Sequence, residues 1–168
     1  MVHSITRFPP FRQPMPVSPH KNAIADPREF LSAVFRAGVH VVQPDRCIPP
    51  VLSRLRRPNG RTVVVGGGKA ASAMAAAVER HWVGPVTGLV VTRVGYAVPT
   101  GAIAVVEAAH PVPDARGAAG AAKVMELACR AGPEDLVLAL ISGGASSLLA
   151  IPAPGLTLDD KREITVQL

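Results

Sequence analysis

A strand, a glycine-rich turn and a helix follow one another in the middle of the sequence. The run Thr62–Val65 is continuously apolar or β-branched, the pattern of a strand covered on both faces in a parallel sheet. Three glycines, Gly66 to Gly68, follow directly, and Lys69 opens an alanine-rich helix that we predict to end near Trp82. Parallel strands need crossover connections, so this unit by itself favours an α/β architecture.

The same alternation continues along the chain and predicts the fold class. We expect further strands at 88–92, 104–108 and 136–141, and helices at 26–42, 114–131 and from 158 to the end. Strands that alternate with helices predict an α/β fold with a doubly wound, mostly parallel, Rossmann-like sheet. Residues 1–25 are predicted to be a flexible, basic, proline-rich leader, and residues 26–168 to form the Rossmann-like domain.

Two expectations concern the region before the first strand. Asp26 and Pro27 have the layout of a helix start, and apolar residues including Phe30, Val34 and Val41 recur at helical spacing. We expect this stripe to pack against a core. Residues 43–60, which are rich in proline and arginine, are predicted to be a connecting loop.

Charge and cysteine placement exclude several functional classes. The chain has 18 Lys and Arg against 12 Asp and Glu, but residues 1–61 hold ten of these bases and three of the acids. With 4% aromatic residues and no aromatics among the clustered arginines, we expect no nucleic-acid partner. The apolar run Leu136–Ile141 is too short to cross a membrane. Cys47 and Cys129 suit reduced thiols in the cytoplasm better than a disulfide or zinc site.

The first glycine-rich turn is a candidate anion site. Backbone N–H groups of Gly66, Gly67 and Gly68, together with the positive end of the following helix, are expected to converge on one point. Lys69 adds a positive charge that could neutralise a phosphoryl group during transfer, with a solvated surface lysine as the alternative. Ala70 stands where a P-loop needs Ser or Thr, so this is not a Walker A site.

A dinucleotide site is a rival interpretation of the same turn. Gly66, Gly68 and Ala71 match the spacing of the dinucleotide fingerprint. That fold also needs an acid after its second strand to hold the ribose hydroxyls, whereas the sequence has Thr92 and Arg93. Arg93 in place of the acid would permit only a variant that binds NADP. An NADP-linked reductase therefore stays open as the alternative enzyme.

A second turn of small residues follows the strand at 136–141. Ser142, Gly143, Gly144, Ser146 and Ser147 combine glycines that favour an N–H nest with hydroxyl donors, at the end of a strand where α/β sheets bind ligands. No glycine lies two residues before Ser142, so a hydrolase nucleophile elbow is excluded. A polar turn that caps the next helix is the structural alternative.

A proline-flanked histidine forms the third candidate. Pro111 and Pro113 restrict the loop that follows the strand at 104–108, and could hold His110 or Asp114 close to the two glycine-rich turns. A purely structural loop is the alternative.

Four segments together carry a family resemblance: VVVGGGKAASAMAAAVE, VVTRVGYAVPT, VVEAAHPVPDARG and DLVLALISGGASSLLAIPAPGLTLDDKREIT. In this order and spacing the chain resembles the class II glycerate 2-kinases, a family whose relatives are also labelled hydroxypyruvate reductases. The resemblance covers roughly residues 27–165.

The resemblance implies a function and a set of site residues. It implies ATP-dependent phosphorylation of D-glycerate to 2-phosphoglycerate with Mg²⁺, in a cleft between a Rossmann-like domain and a smaller C-terminal domain. Lys69 falls on the family's active-site lysine, and the Ser142–Ser147 turn falls on its nucleotide- or substrate-binding turn. His110 and Asp114 fall on its HPxPD loop. The metal ligands stay unassigned, and a homo-oligomer stays open.

The sequence departs from the family pattern at several points. Gly67 and Ala145 stand where the family often has alanine and glycine, and Ala145 would crowd the second turn if its φ had to be positive. Family chains are more than twice as long, so we expect an incomplete N-terminal domain, without the C-terminal domain, that has little or no kinase activity alone. A non-catalytic nucleotide-binding module is the third alternative.

Overall fold

The computed structural model describes residues 26–167, so the predicted leader at 1–25 lies outside the described residues. The elements are α1 (Pro27–Val41), α2 (Pro44–Cys47), α3 (Pro49–Leu52), β1 (Thr62–Gly67), α4 (Ala71–His81), β2 (Val86–Arg93), β3 (Ile103–Ala108), α5 (Ala115–Cys129), β4 (Leu136–Ile141), α6 (Ala145–Leu148) and α7 (Leu158–Gln167). Among these helices, none is both long and apolar enough to span a membrane.

The four described strands form one parallel sheet in the order β3-β2-β1-β4. The chain runs outward from β1 through β2 to β3 and then returns to pair β4 with the other side of β1. Gly67 at the end of β1 therefore lies opposite both Val91 of β2 and Ile141 of β4. This reversal of direction confirms the predicted doubly wound α/β sheet, and it places a switch point between β1 and β4.

Core residues lie on both faces of the sheet. All six residues of β1 are buried, as the unbroken apolar run predicts. Val64 and Val90 pack with α4 on one face, while Val63 and Val65 belong to a second cluster that includes Val124 of α5. Alanines dominate the buried side of α4, and their small side chains let the helix approach the sheet closely.

Two predicted helix starts are confirmed by their hydrogen bonds. The Asp26 carboxylate accepts a hydrogen bond from Arg28 N–H at 2.9 Å, which caps α1. Before α7, Thr157 and Asp160 exchange bonds: Asp160 N–H donates to Thr157 Oγ1 at 3.1 Å, and Thr157 N–H donates to the Asp160 carboxylate at 2.7 Å.

The prediction of an unstructured loop at 43–60 is wrong, because this segment contains α2 and α3. Pro44 and Pro49 each stand at the start of a helical turn, where a fixed φ and a missing N–H are tolerated. Ile48 and Leu52 are buried in the same cluster as Val64. Proline content therefore indicated helix starts here, and the segment supplies core residues.

The chain divides into two compact units, and the boundary between them falls within α1, between Arg36 and Ala37. The helix forms as predicted, but none of its residues is buried, and the prediction of a core-facing stripe is wrong. Phe30 is 49% exposed and Phe35 is 71% exposed. Helical periodicity identifies a face that favours burial, but it carries no information on whether a covering surface exists. The predicted boundary at residue 26 stays a prediction.

Candidate functional site

The two glycine-rich turns meet at the switch point of the sheet. They follow β1 and β4, which are parallel neighbours, so both leave the same edge of the sheet. Lys69 N–H donates to Gly143 O at 2.9 Å, and Ser142 N–H donates to Gly67 O at 3.1 Å. These bonds fix the two turns against each other at the edge where α/β sheets bind their ligands.

Glycine is required at position 68 for this close approach. Gly68 has a φ of +133°, and a Cβ atom there would overlap both the hydroxyl and the carbonyl of Ser142. Gly67 is also tightly enclosed, since a Cβ atom would lie 2.6 Å from Leu149 Cγ. The glycine at position 67, a departure from the family pattern noted above, thus leaves the space that the Leu149 side chain occupies.

The N–H group of Gly68 and those of the three residues after it are not free, which corrects the expectation of an N–H nest at Gly68; the ligand contacts of Gly66 and Gly67 stay predictions. Gly68 N–H donates to Val91 O at 3.0 Å, and Ala71 N–H donates to Gly68 O at 3.1 Å. Ala70 N–H donates to Ser142 Oγ at 3.0 Å. With the Lys69 bond to Gly143, all four N–H groups from 68 to 71 are engaged within the protein. What the turn presents outward is the exposed side chain of Lys69.

Thr92, at the end of β2, completes the support of Lys69. Its side chain is fully buried, and its Oγ1 lies 3.1 Å from Gly68 O and 3.4 Å from Lys69 O. A buried hydroxyl needs such acceptors, and here both belong to the segment that carries the lysine. The sequence analysis treated Thr92 only as a missing acid. A polar residue that ends an apolar strand next to a glycine-rich turn was the available signal.

The second turn keeps the donors that the first turn has used. Gly144 has a φ of +88° and begins α6, and Ser147 Oγ donates to Gly144 O at 3.1 Å. Within residues 26–167, the N–H groups of Gly143 and Gly144 donate to no protein acceptor. Two successive N–H groups beside a left-handed glycine have the form of an anion nest. The second turn therefore has the N–H groups that an anion site needs, and the binding of an anion there stays a prediction.

Ser142, Ser146 and Ser147 differ in availability. The Ser142 hydroxyl already accepts from Ala70, and Ser147 donates to its own turn, so both hold the backbone. Ser146 is exposed. The Ala145 φ is not positive, since the described residues with positive φ are all glycines. The expected crowding by Ala145 is thus absent.

His110 and Lys69 flank the Gly143–Gly144 turn. A Cβ atom built on Gly144 would lie 2.6 Å from His110 Nε2 and 3.5 Å from Lys69 Cγ. One built on Gly143 would lie 3.8 Å from Lys69 Cε. The structure therefore brings together a lysine, an imidazole and two unengaged N–H groups, drawn from three loops. The predicted approach of the histidine loop to the two turns is observed, while the ligand contacts of these residues stay predictions.

Asp114 has a structural role in the same loop. Its carboxylate caps α5 by accepting from Gly117 N–H at 2.8 Å, and it accepts from Arg116 Nε at 3.1 Å. Burial raises the pKa of the Asp114 carboxyl, but these hydrogen bonds outweigh burial and hold the pKa below its usual value. Arg162 of α7 donates to Pro113 O at 2.8 Å and tethers the loop from outside. The predicted ligand contact of Asp114 stays a prediction.

The ligands of a magnesium ion stay unassigned among the described residues. Mg²⁺ prefers oxygen ligands and is usually held by one or two carboxylates together with substrate phosphates. Between residues 26 and 167, no group of three or more His, Cys, Asp or Glu lies close enough to hold a metal. Glu107, on β3 near this edge, instead accepts from Gly95 N–H at 2.7 Å. We therefore derive no step through a metal ion.

Comparison with known proteins gives one family and several relatives. Residues 30–168 match the family described as Domain of unknown function (DUF4147). A putative hydroxypyruvate reductase from Agrobacterium vitis is 48% identical over 142 residues, which are 84% of this chain and 32% of that protein. A glycerate 2-kinase from Pyrococcus horikoshii is 39% identical over 106 residues, 63% of this chain and 24% of that protein.

A solved structure agrees with these relatives. The crystal structure of a glycerate kinase from Thermotoga maritima superposes with a TM-score of 0.70 at 31% identity. The superposition covers 83% of this chain and 34% of that one. The present chain thus spans between a quarter and a third of the length of these three proteins.

Proposed function

This chain belongs to the DUF4147 family, and on that premise we propose that it carries the Lys69 side of a glycerate 2-kinase active site. The reaction is the ATP-dependent phosphorylation of D-glycerate. A bond forms between the glycerate 2-oxygen and the γ-phosphorus, the bond from that phosphorus to the ADP oxygen breaks, and the hydroxyl proton passes to solvent. Glycerate kinases among the relatives support this choice of reaction.

One observation carries the proposal: a lysine whose backbone is fixed by hydrogen bonds lies beside two unengaged N–H groups at the switch point of the sheet. Phosphoryl transfer asks the protein mainly for positioning and for positive charge around the transferred group. In this proposal the Lys69 ammonium group neutralises phosphate charge, and the Gly143 and Gly144 N–H groups donate to phosphate oxygens. His110, next to Gly144, contacts the glycerate or the transferred phosphoryl group.

The hydroxypyruvate reductase alternative is favoured by the name of the 48% identical relative. Its chemistry would need NADPH, whose pyrophosphate binds to free N–H groups at the start of the helix after β1. Here the N–H groups of residues 68–71 are already bonded within the protein. The geometry therefore supports the kinase over the reductase.

Amide spectra of the 168-residue chain test the proposal. Mg-ATP, D-glycerate and NADPH are titrated separately while the Gly143 and Gly144 signals are followed. We expect shifts at these glycines with Mg-ATP or D-glycerate. Shifts produced only by NADPH would favour the reductase, and the absence of any shift at Gly143 and Gly144 with Mg-ATP and with D-glycerate would contradict the proposed site.

A pair of lysine variants makes the test specific. Lys69→Met removes the proposed phosphate contact, and we expect Mg-ATP binding to weaken about tenfold or more. Lys123→Met is the matched control, because Lys123 is an exposed lysine on α5 that pairs with Glu126. Equal loss of affinity in both variants would mean that Lys69 contributes only general charge, and the proposed site would be wrong.

A further inference from the structure

Three adjoining hollows open at the other end of the sheet, and Arg57 lines all of them. The largest, about 360 Å³, lies between α3 and the end of α4, and a second of about 150 Å³ shares Arg57, Trp82 and Val83 with it. A third, of about 290 Å³, extends from Arg57 toward Leu136 at the start of β4. One arginine thus lines three separate hollows.

The walls of the largest hollow are mostly apolar and firmly held. Leu52 is buried, and Leu55 and Trp82 pack against the same core cluster. The Trp82 indole N–H donates to Thr62 Oγ1 at 3.1 Å, which fixes the ring and leaves its apolar surface toward the hollow. A cavity of this size, in which apolar and aromatic side chains stand beside Ser53, Arg57 and His81, has the dimensions of a small-molecule site.

The charges around the hollow leave Arg57 without a carboxylate. Asp45 is engaged by Arg80 and lies 3.7 Å from His81 Nε2, and Asp135 is paired with Arg61 at 3.0 Å. Glu134 accepts from Asn59 at 2.7 Å. In the stretch 26–167, Arg57 itself makes no ion pair or hydrogen bond through its side chain. Beside Ser53 and His81, Arg57 thus offers the hollow an unpaired guanidinium, a group that favours a carboxylate.

We propose that this hollow binds a small amphipathic monoanion, an alkyl or aryl carboxylate whose apolar part lies against Trp82 and Leu52 and whose carboxylate pairs with Arg57. The site is separate from the proposed kinase site. Thr62 begins β1 and Lys69 follows its end, so the two lie at opposite ends of a six-residue strand, roughly 20 Å apart. The proposal therefore does not depend on the activity proposed for Lys69.

Trp82 provides a direct reporter, because it is the single tryptophan of the chain. We would titrate the purified chain with sodium hexanoate and, separately, with 1-hexanol, and follow Trp82 fluorescence and its one indole N–H signal. Hexanoate is expected to perturb both signals saturably. Hexanol has the same alkyl chain without the charge, and we expect it to bind at least about tenfold more weakly.

Two arginine variants separate pairing from general charge. Arg57→Gln removes the proposed partner and should weaken hexanoate binding about tenfold while leaving hexanol unchanged. Arg54→Gln removes an exposed arginine of the same segment that lines none of the three hollows. It should leave hexanoate affinity within about twofold.

Three results would overturn the proposal. Equal affinity for hexanoate and hexanol would mean an apolar hollow without anion recognition. Equal weakening by the two arginine variants would mean unspecific attraction to a basic surface. No saturable change at Trp82 would mean that the hollow binds neither probe. Amide spectra of each variant confirm folding, which exposed positions such as Arg57 and Arg54 should preserve.

Discussion

The two glycine-rich turns follow neighbouring parallel strands, yet they use their backbone N–H groups in opposite ways. In the first turn, the N–H groups of residues 68–71 are all bonded within the protein. In the second turn, Gly143 and Gly144 keep theirs, as far as the described chain extends. Glycine content therefore does not identify an anion site by itself. The first turn positions a side chain, and the second offers backbone donors.

The two turns use their N–H groups differently because the turns lie very close to each other. Because residue 68 is a glycine, the turn after β1 can approach Ser142 closely. The second turn can then accept hydrogen bonds from N–H groups of the first turn. The acceptors are Gly143 O and Ser142 Oγ, which belong to the turn that keeps its own N–H groups. Apart from Ser142 N–H, which donates to Gly67 O, the second turn thus accepts hydrogen bonds from the first turn and keeps its two glycine N–H groups unengaged.

The largest expected effect comes from separating the turns with Gly68→Ala. The added methyl group would overlap Ser142, and the residue would have to hold a φ of +133°. We expect a loss of about 2 kcal/mol or more in the free energy of unfolding, measured by urea denaturation. Gly132→Ala is the control, because its φ is not positive and its new Cβ atom would meet nothing closer than 3.9 Å.

Equal losses of stability in Gly68→Ala and Gly132→Ala would contradict the inference that the close approach of the two turns requires glycine at position 68. Gly68→Ala would then be accommodated by movement of the Ser142 turn. The Lys69–Gly143 hydrogen bond would not be the feature that holds Lys69 in place.

The next effect concerns Thr92, which supports the first turn from β2. Thr92→Val keeps the shape but removes the buried hydroxyl, and we expect a loss of about 1–2 kcal/mol in the free energy of unfolding. Thr92→Ser keeps the hydroxyl and is the control. If Lys69 needs this support, the valine variant should also weaken Mg-ATP binding, whereas serine should restore it.

An isothermal titration of the two Thr92 variants decides between support and mere packing. A serine variant that binds Mg-ATP as weakly as valine would mean that the lost methyl group, and not the hydroxyl, is responsible. The hydrogen bonds to Gly68 O and Lys69 O would then have no part in holding the lysine.

Sequence reasoning succeeded where one segment carries its own evidence. The run Thr62–Val65 is apolar because both faces of β1 are covered, so the strand is recognisable without its neighbours. It failed where the outcome depends on distant partners. Ala70 and Ser142 are 72 positions apart, and only the register of β1 with β4 brings that hydroxyl to that N–H group. The exposure of the apolar residues of α1, within the part of the chain that the structure describes, is a failure of the same kind.

A fall in pH should destabilise the histidine loop beside the second turn before it destabilises the first turn. The first turn is held by hydroxyls and backbone groups, none of which titrates in this range. The histidine loop beside Gly144 is held through Asp114, whose pKa is lowered in the folded chain. A lowered pKa contributes stability above the unfolded value of 3.8, and that stability is lost as pH falls through the folded value.

Hydrogen exchange measured from pH 5 downward checks this order. Below about pH 3.8, we expect the amide groups of residues 110–118 to lose protection before those of residues 66–71. Asp114→Asn keeps a capping side chain without the titration, and it should remove the difference. Simultaneous loss of protection in both segments would contradict it.

The smallest effect is expected at Ala145, the residue of the second turn that the sequence analysis expected to crowd the turn if its φ were positive. Ala145 is the first residue of α6, and its φ is not positive. Ala145→Gly should therefore destabilise the chain by about 0.5–1 kcal/mol, because glycine gains freedom in the unfolded state and no strain is relieved. Urea denaturation gives the sign. An increase in stability would mean that alanine strains the turn, and that Gly143 and Gly144 do not by themselves supply the backbone freedom this turn needs.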